Sequence, residues 1–164
     1  MNQRLNNWLG VTLLLLAVGC SPHAAASGSV ALAGSATVHP ISGLAVIPLS
    51  VTTLGKVHRF RVEIARSDAD QEKGLMFRTT MGADEGMIFP MQPPRSAAFW
   101  MKNTVIPLDI IFIGSDHRIL NIAANAVPYD ETPLPSAGPA AGVLELNGGR
   151  AAQLGIGPGD RVDW

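Results

Sequence analysis

The sequence predicts a mainly β protein: a small antiparallel β-sandwich or barrel with one or two short helices, preceded by a signal peptide and a flexible tether. Three observations lead to this prediction. The chain of 164 residues contains 17 glycines and 12 prolines, which is typical of frequent turns. Between these turns, short apolar runs alternate with polar residues, as in half-buried strands. Charged residues are absent from residues 21–55 and frequent afterwards, which separates a linker from a folded part.

Residues 1–19 have the pattern of a secretory signal peptide, with Arg4 near the start and an apolar run over residues 9–18. That run is about half the roughly 20 residues that a membrane-spanning helix needs. The small residues before Cys20 resemble a bacterial lipobox, so we expect a lipid on Cys20; cleavage near Ala26 is the alternative. The sequence therefore predicts an exported protein of the bacterial cell envelope. It would be held at a membrane through this lipid and face the periplasm or the exterior.

Residues 20–56 are predicted to form a low-complexity tether. The alternation in residues 45–49 leaves open that part of it docks as an edge strand, since Pro48 cannot donate a hydrogen bond to a ladder. A single domain, residues 57–164, follows, and one domain is the expectation at this length.

The first predicted strand, residues 58–64, places its apolar side chains on one face and its charged ones on the other. Ser67 is expected to cap a short helix that Gly74 ends. Further strand-like segments are residues 86–90, 97–103, 108–113 and 118–126. Turn-forming residues 114–117 between the last two predict a β-hairpin.

The C-terminal part begins with residues 128–139, whose prolines and glycine predict a surface loop. Residues 143–146 predict another strand. Asn147 is expected to cap a second short helix that extends to Gln153, and Gly155 to end it in the left-handed conformation.

Composition excludes several classes of protein. With 12 Lys and Arg against 13 Asp and Glu, the chain has no basic field to attract a nucleic acid. Its single cysteine excludes an intrachain disulfide and a cysteine-only zinc site. The four histidines show no metal-ligand spacing. We therefore expect neither a nucleic-acid partner nor a cofactor.

Five sequence pieces resemble one family of proteins. They are GLMFR (74–78), GMIF (86–89), FWMKNTVIPLDIIFI (99–113), VLEL (143–146) and GIGPGDRV (155–162). In content, order and spacing they resemble the domain of unknown function 192 family, also called uncharacterised protein family 0127. The resemblance implies a small, mostly β domain of sandwich type, commonly exported, with no established activity.

The most informative segment for chemistry is residues 100–104. On a strand, Trp100, Lys102 and Thr104 would share one face. Either Lys102 pairs with a carboxylate, Asp109 or Glu145, or it faces a solvated concavity beside Trp100. An aromatic wall with a cation and a hydroxyl nearby is a usual composition for binding an anionic or sugar-like ligand.

A second cation, Arg78, could present its planar guanidinium to a carboxylate or phosphate. The hypothetical ligand-binding site thus contains Arg78, Trp100, Lys102, Asn103, Asp109 and Glu145. The alternative is a structural network, with Lys102 paired to Asp109 or Arg78 to Glu145.

The preferred functional hypothesis is a non-catalytic module that binds a small ligand or an envelope partner. Three alternatives stay open. Asp109 and Glu145 could form the two-carboxylate pair of a hydrolytic enzyme. Met76, Met87 and Met101 could bind copper, although methionine is more often a flexible core side chain. The protein could also be purely structural.

Overall fold

The computed structural model describes residues 37–164, and the signal peptide, Cys20 and the first part of the tether lie outside them. The described chain is mainly β, as predicted, with two short helices. Its elements are β1 (Val46–Thr53), β2 (Lys56–Ile64), α1 (Asp68–Lys73), β3 (Glu85–Arg95), β4 (Ala98–Phe99), β5 (Leu108–Ile113), β6 (Ile119–Ala126), β7 (Leu134–Pro135), β8 (Ala140–Asn147), α2 (Arg150–Leu154) and β9 (Arg161–Asp163). None of the helices in this part of the chain is long and apolar enough to span a membrane.

Seven strands form one mixed sheet in the order β6-β5-β8-β3-β2-β1-β9, and β4 pairs with β7 in a small second sheet. The pairing is antiparallel throughout except between β2 and β3, which are parallel. The expected sheet was wholly antiparallel. The difference arises because the chain leaves β2 through α1 and residues 74–84 and returns in the same direction, which is a crossover instead of a hairpin.

The large sheet is not a closed barrel, but it curls until its edges meet at one point. Arg118 and Arg161 form an isolated antiparallel bridge there. Beside it, the Ile119 amide donates to the Asp160 carbonyl over 2.9 Å and the Val162 amide to the His117 carbonyl over 2.8 Å. Both edge strands contribute apolar side chains to the same core, so the sheet wraps around that core.

The two faces of the sheet bury separate hydrophobic cores. The inner core, on the concave face, includes Val51, Val62, Ile111, Leu144 and Val162. The outer core, on the opposite face, includes Met87, Phe89, Met101, Phe112 and Val143. Side chains alternate between faces along each strand. On β8, Glu145 therefore lies on the outer face with Val143, and on β5, Asp109 lies on the inner face with Ile111.

Strand β1 lies in the segment that the sequence assigned to the tether. It pairs with β2 over its whole length and with β9 through residues 50–52, and its Leu49 and Val51 are buried in the inner core. A domain start at residue 57 is therefore too late, because an uncharged aliphatic stretch was interpreted as linker. The edge character expected at Pro48 is present locally, since β9 does not reach that position.

Three of the four helix ends predicted from the sequence are confirmed by the structure. The Asp70 amide donates to the Ser67 hydroxyl over 3.1 Å at the start of α1. Gly74 and Gly155, with φ of 47° and 69°, end α1 and α2 as predicted. Asn147, however, does not cap α2. Its side-chain amide donates to the Met81 and Gly82 carbonyls over 3.1 and 2.9 Å, and Gly149 is the N-cap instead.

Candidate functional site

The segment around Trp100 is a turn and not the strand that the sequence predicted. Only Ala98–Phe99 is extended. The Thr104 amide donates to the Met101 carbonyl over 3.1 Å, and Asn103 takes a left-handed φ of 53°. The strict alternation of side chains over residues 100–104 therefore does not exist, although Trp100, Lys102 and Thr104 still line one cavity.

Two neighbouring loops hold this turn in place. The Phe77 amide donates to the Asn103 carbonyl over 2.8 Å, and the Tyr129 amide donates to the Thr104 carbonyl over 3.2 Å. Phe77, Asn103 and Tyr129 all have positive φ values, between 53° and 63°. Non-glycine residues adopt this conformation at a cost that the surrounding structure must offset, and such residues concentrate at functional sites. The turn is thus fixed from both sides.

A cavity of about 430 Å³ lies between this turn, α1 and the outer face of the sheet. Apolar and polar residues line it in similar measure, and the large apolar side chains come from three segments of the chain: Leu75, Met76, Phe89, Met91 and Phe99. Phe99 packs edge-on against Phe89, with ring centroids 5.1 Å apart. The volume is ordinary for a small-ligand site.

Glu145 lies at the sheet side of this cavity and is only 5 % exposed. Its Oε2 atom has no hydrogen-bond partner among the described residues. Burial raises the pKa of Glu145 from its ordinary value of 4.5 to about 8, because removal from water disfavours the charged form. At neutral pH the side chain is therefore mostly a protonated carboxylic acid, which can donate as well as accept a hydrogen bond.

The cavity opens to solvent beside Trp100, whose side chain is 49 % exposed. The Lys102 Nζ atom lies 5.2 Å from the Trp100 ring centroid, in cation–π contact. Lys73 and Arg95 also line the cavity. Apart from the mostly protonated Glu145, the carboxyl group among the described lining residues is that of Glu72. Within residues 37–164 none of these three cations forms an ion pair, so the positive charge at the cavity is not neutralised there.

Asp109, predicted to share the site with Glu145, lies on the opposite face of the sheet. Its Oδ1 atom accepts from the Asn125 and Gly149 amides over 2.8 and 2.9 Å, and its Oδ2 atom from the Ala151 amide over 2.8 Å. These bonds satisfy the start of α2 and fix the end of β6. The proposed hydrolytic pair of Asp109 with Glu145 is therefore wrong, because the sheet separates the two carboxyl groups.

Arg78 also lies outside the cavity. Its guanidinium donates to both carboxylate oxygens of Glu63, over 2.8 and 3.1 Å, with both side chains buried. The Ser42 hydroxyl donates to the same carboxylate, and His39 Nδ1 lies 3.6 Å from Glu63 Oε1. This network attaches the segment before β1 to the domain. The partner is thus Glu63, which the sequence analysis did not single out, and not Glu145.

The remaining candidate residues have mixed outcomes. The Asn103 side-chain amide contacts the Met76 sulfur at 3.8 Å, and Met76 lines the cavity. Met87 and Met101 are buried in the outer core, as expected for core methionines. No group of three or more His, Cys, Asp or Glu side chains within residues 37–164 is arranged to hold a metal ion.

Sequence reasoning missed three of the charged residues at the cavity, Glu72, Lys73 and Arg95. They lie on α1 and at the end of β3, far in sequence from Lys102. Nothing in their local pattern points to a site. Only the tertiary fold brings these charged residues and the buried Glu145 to one cavity.

Comparisons with known proteins agree with this fold. Residues 49–164 match the model of the family DUF192, described as "Uncharacterized ACR". Among curated proteins none matches the chain.

Two solved structures are similar over most of their length. A protein of unknown function from Novosphingobium aromaticivorans is 64% identical, with a TM-score of 0.78, over 80% of this chain and 94% of the other. A protein from Sinorhizobium meliloti, described as a proposed transcription regulator, is 42% identical, with a TM-score of 0.71, over 73% of this chain and 94% of the other.

Proposed function

This chain belongs to the uncharacterized DUF192 family, and we propose that it binds a small ligand in the cavity beside Glu145 without transforming it. The observation that carries this proposal is the unpartnered Oε2 atom of a buried carboxyl group at the wall of an open cavity. Buried polar atoms in folded proteins almost always have a hydrogen-bond partner, and the few exceptions call for an explanation. A ligand that bonds to Glu145 supplies one.

The geometry of the cavity supports the same proposal. Loops with left-handed residues hold Trp100 and Lys102 at its opening, so the site would be largely formed before a ligand arrives. Preorganisation of this kind lowers the ordering cost of binding. About half of the Trp100 surface is exposed at this opening, with the Lys102 ammonium group beside its ring.

Two alternatives, a hydrolytic enzyme and a copper-binding protein, fit the structure less well than this proposal. A hydrolytic pair would need Asp109 and Glu145 on the same side of the sheet, and they are on opposite sides. A copper site would need accessible thioethers, and Met87 and Met101 are buried among apolar side chains. The Sinorhizobium relative is described as a transcription regulator, and the proposal does not carry that description over to this chain. The balanced charge of this chain gives no basic field of the kind that DNA binding requires.

The test is thermal unfolding of the chain from Ser21 onward against a panel of sugars, carboxylates, phosphates, nucleotides and metal ions. A ligand that binds the native state raises the unfolding temperature, by about 5 °C or more far above its Kd. We expect at least one organic class to do so in the unsubstituted chain, and to do so less in Lys102→Ala. No stabilisation by any member would contradict the proposal and favour a purely structural protein.

We further propose that the domain acts in the cell envelope, attached through a lipid on Cys20. The signal-peptide pattern and the small residues before Cys20 support this location. Cells fed an alkyne-tagged fatty acid should label the full-length protein and not Cys20→Ala, with Ser21→Ala as the matched control. Equal labelling of Cys20→Ala, or none of the unsubstituted protein, would contradict lipid attachment at this residue.

A further inference from the structure

Resting on the proposed function, we infer that the ligand is an anionic amphiphile: an apolar body that fills the cavity, an acidic group at the opening, and a neutral hydrogen-bonding group that reaches Glu145. Each of these three parts follows from a different feature of the cavity.

The acidic group follows from the charges that line the cavity. Lys73, Arg95 and Lys102 are opposed there by Glu72 alone, apart from the buried Glu145. Lys102 is exposed, and its ammonium group lies beside the Trp100 ring, where the cavity opens to solvent. A carboxylate or phosphate end would meet at least one of these cations. A cationic end at the opening would be repelled by all three.

The apolar body follows from the walls. Leu75, Met76, Met91 and two phenylalanines form one part of the lining, beside polar residues such as Gln71, Ser96 and Thr104, and an apolar group of the ligand would pack against this apolar part. The volume of about 430 Å³ corresponds to roughly 14 groups the size of a water molecule, at about 30 Å³ each. A chain or ring system of that size would displace water from apolar surface, which favours binding.

The neutral inner group follows from Glu145. Its surroundings disfavour the ionised carboxylate, so the partner that fits is one that bonds to a carboxylic acid without requiring ionisation. A hydroxyl group does so, because it can donate to Oε2 and accept the carboxyl proton. A plain hydrocarbon end would leave Oε2 unpaired, and the free energy of that unpaired atom would not be recovered.

Four matched probe compounds test the three parts of the ligand one at a time. They have the same ten-carbon chain and differ only at the ends: 10-hydroxydecanoate, decanoate, 1,10-decanediol and 10-aminodecanoate. Their Kd values would be measured by isothermal titration calorimetry at pH 7 and low salt, with the chain from Ser21 onward. We expect 10-hydroxydecanoate to bind tightest. Decanoate and the diol should each bind about three- to tenfold more weakly, having lost one polar partner.

Substitutions of Lys102 and Glu145, each with a control variant, assign these differences in Kd to individual residues. Lys102→Gln should reduce the advantage of 10-hydroxydecanoate over the diol, while Lys56→Gln, an equal change of charge on β2, should not. Glu145→Leu should abolish the advantage of 10-hydroxydecanoate over decanoate. Glu145→Gln, which keeps a neutral hydrogen-bonding group in nearly the same shape, should retain it and serves as the variant least expected to disturb folding.

The outcomes distinguish this inference from the proposed function. Equal binding of the diol, or tighter binding of 10-aminodecanoate, overturns the assigned ligand class and leaves a ligand cavity. If none of the four probes binds but a member of the earlier panel does, the inference also fails alone. If neither the probes nor the panel bind, both proposals fail.

Discussion

The two faces of the seven-stranded sheet each bury an acidic side chain from adjacent strands, and the two acids have opposite surroundings. On the inner face, both oxygens of Asp109 accept hydrogen bonds from backbone amides. On the outer face, Glu145 has one oxygen with no partner in the described chain and lines a cavity. The hydrogen bonds of Asp109 identify it as a structural cap. No such structural role accounts for the unpaired oxygen of Glu145.

The inner and outer cores are also covered by different parts of the chain. The inner core is enclosed by the curled sheet and α2. The outer core is covered by α1 and by loops that contain left-handed Phe77, Asn103 and Tyr129. A sheet can close its own concave face with aliphatic side chains, whereas the convex face depends on loops, and it is under those loops that a cavity exists. Burial of a charge alone therefore does not identify a site; the unpaired atom and the open space beside it do.

The largest expected effect is the pH dependence that Glu145 gives to stability. Its pKa is 4.5 ordinarily and about 8 in the folded chain. Because the folded state holds this proton more tightly, the stabilisation is present at low pH and is lost as pH rises from 4.5 to 8. At about 1.4 kcal/mol per unit, the free energy of unfolding should fall by up to about 5 kcal/mol across that window relative to Glu145→Gln.

Urea unfolding of both proteins between pH 4 and 9 measures this difference. The other charged groups lining the cavity, Glu72, Lys73, Arg95 and Lys102, are the same in both proteins, so the difference reports on Glu145. Parallel stability profiles for the two proteins would mean that Glu145 is not held protonated and would remove the contrast with Asp109.

A smaller effect is expected from Asp109→Ala, which tests the structural side of the comparison. The substitution leaves the Asn125, Gly149 and Ala151 amides without their acceptor, and we expect a loss of about 4 kcal/mol in the free energy of unfolding. Asp116→Ala is the matched control, since Asp116 is exposed and, among residues 37–164, accepts a hydrogen bond only from the Arg118 amide. Similar losses for the two variants in urea would show that the buried bonds of Asp109 contribute nothing special.

Arg78→Met should cost about 3 kcal/mol of unfolding free energy, because it leaves Glu63 buried without its bidentate partner. The second substitution Glu63→Gln in that background should recover part of the loss, since the isolated charge is then gone. Ligand binding at the cavity should persist in Arg78→Met where the protein is folded. Full loss of binding without loss of stability would instead place Arg78 in the site, as the sequence first indicated.

The smallest effect on stability is expected from Lys102→Ala, within about 0.5 kcal/mol, since this side chain is exposed and forms no ion pair among residues 37–164. Ligand-induced stabilisation should nevertheless be smaller than in the unsubstituted chain, because binding is expected to weaken about three- to tenfold. Urea and thermal unfolding, with and without ligand, measure both. A loss of several kcal/mol in the free energy of unfolding would show that Lys102 stabilises the fold, and would contradict its assignment to the ligand cavity.

Local chemistry made much of the fold predictable. The hydroxyl of Ser67, the glycines that end both helices, and the alternation in residues 58–64 act within a few residues, so the sequence displays them. The parallel pairing of β2 with β3 and the position of β1 depend on partners distant in sequence. The alternation in residues 45–49 left docking of this segment as a strand open, but its uncharged residues fit a linker equally well.

The candidate site was also predictable only in part, because it depends on strand register and on a turn that the sequence does not display. Trp100, Lys102 and Glu145 were proposed together and do line one cavity. Asp109 and Glu145 were also proposed together, but the register that pairs Ile110 with Glu145 puts the two acids on opposite faces. A shift of one residue would have put them on the same face, and the sequence does not fix that register. The left-handed Asn103 was equally hidden, so a turn was interpreted as a strand.

The most direct test of the central claim is a carboxyl-carbon NMR titration of Glu145, without and with 10-hydroxydecanoate, using Glu145→Gln to assign the signal. We predict a midpoint near pH 8 in the free protein and a clear change of the Glu145 signal when the ligand is added. A midpoint near 4.5, with no response to this ligand or to any stabilising member of the panel, would contradict the account of Glu145 as a buried, unpaired acid in a ligand cavity.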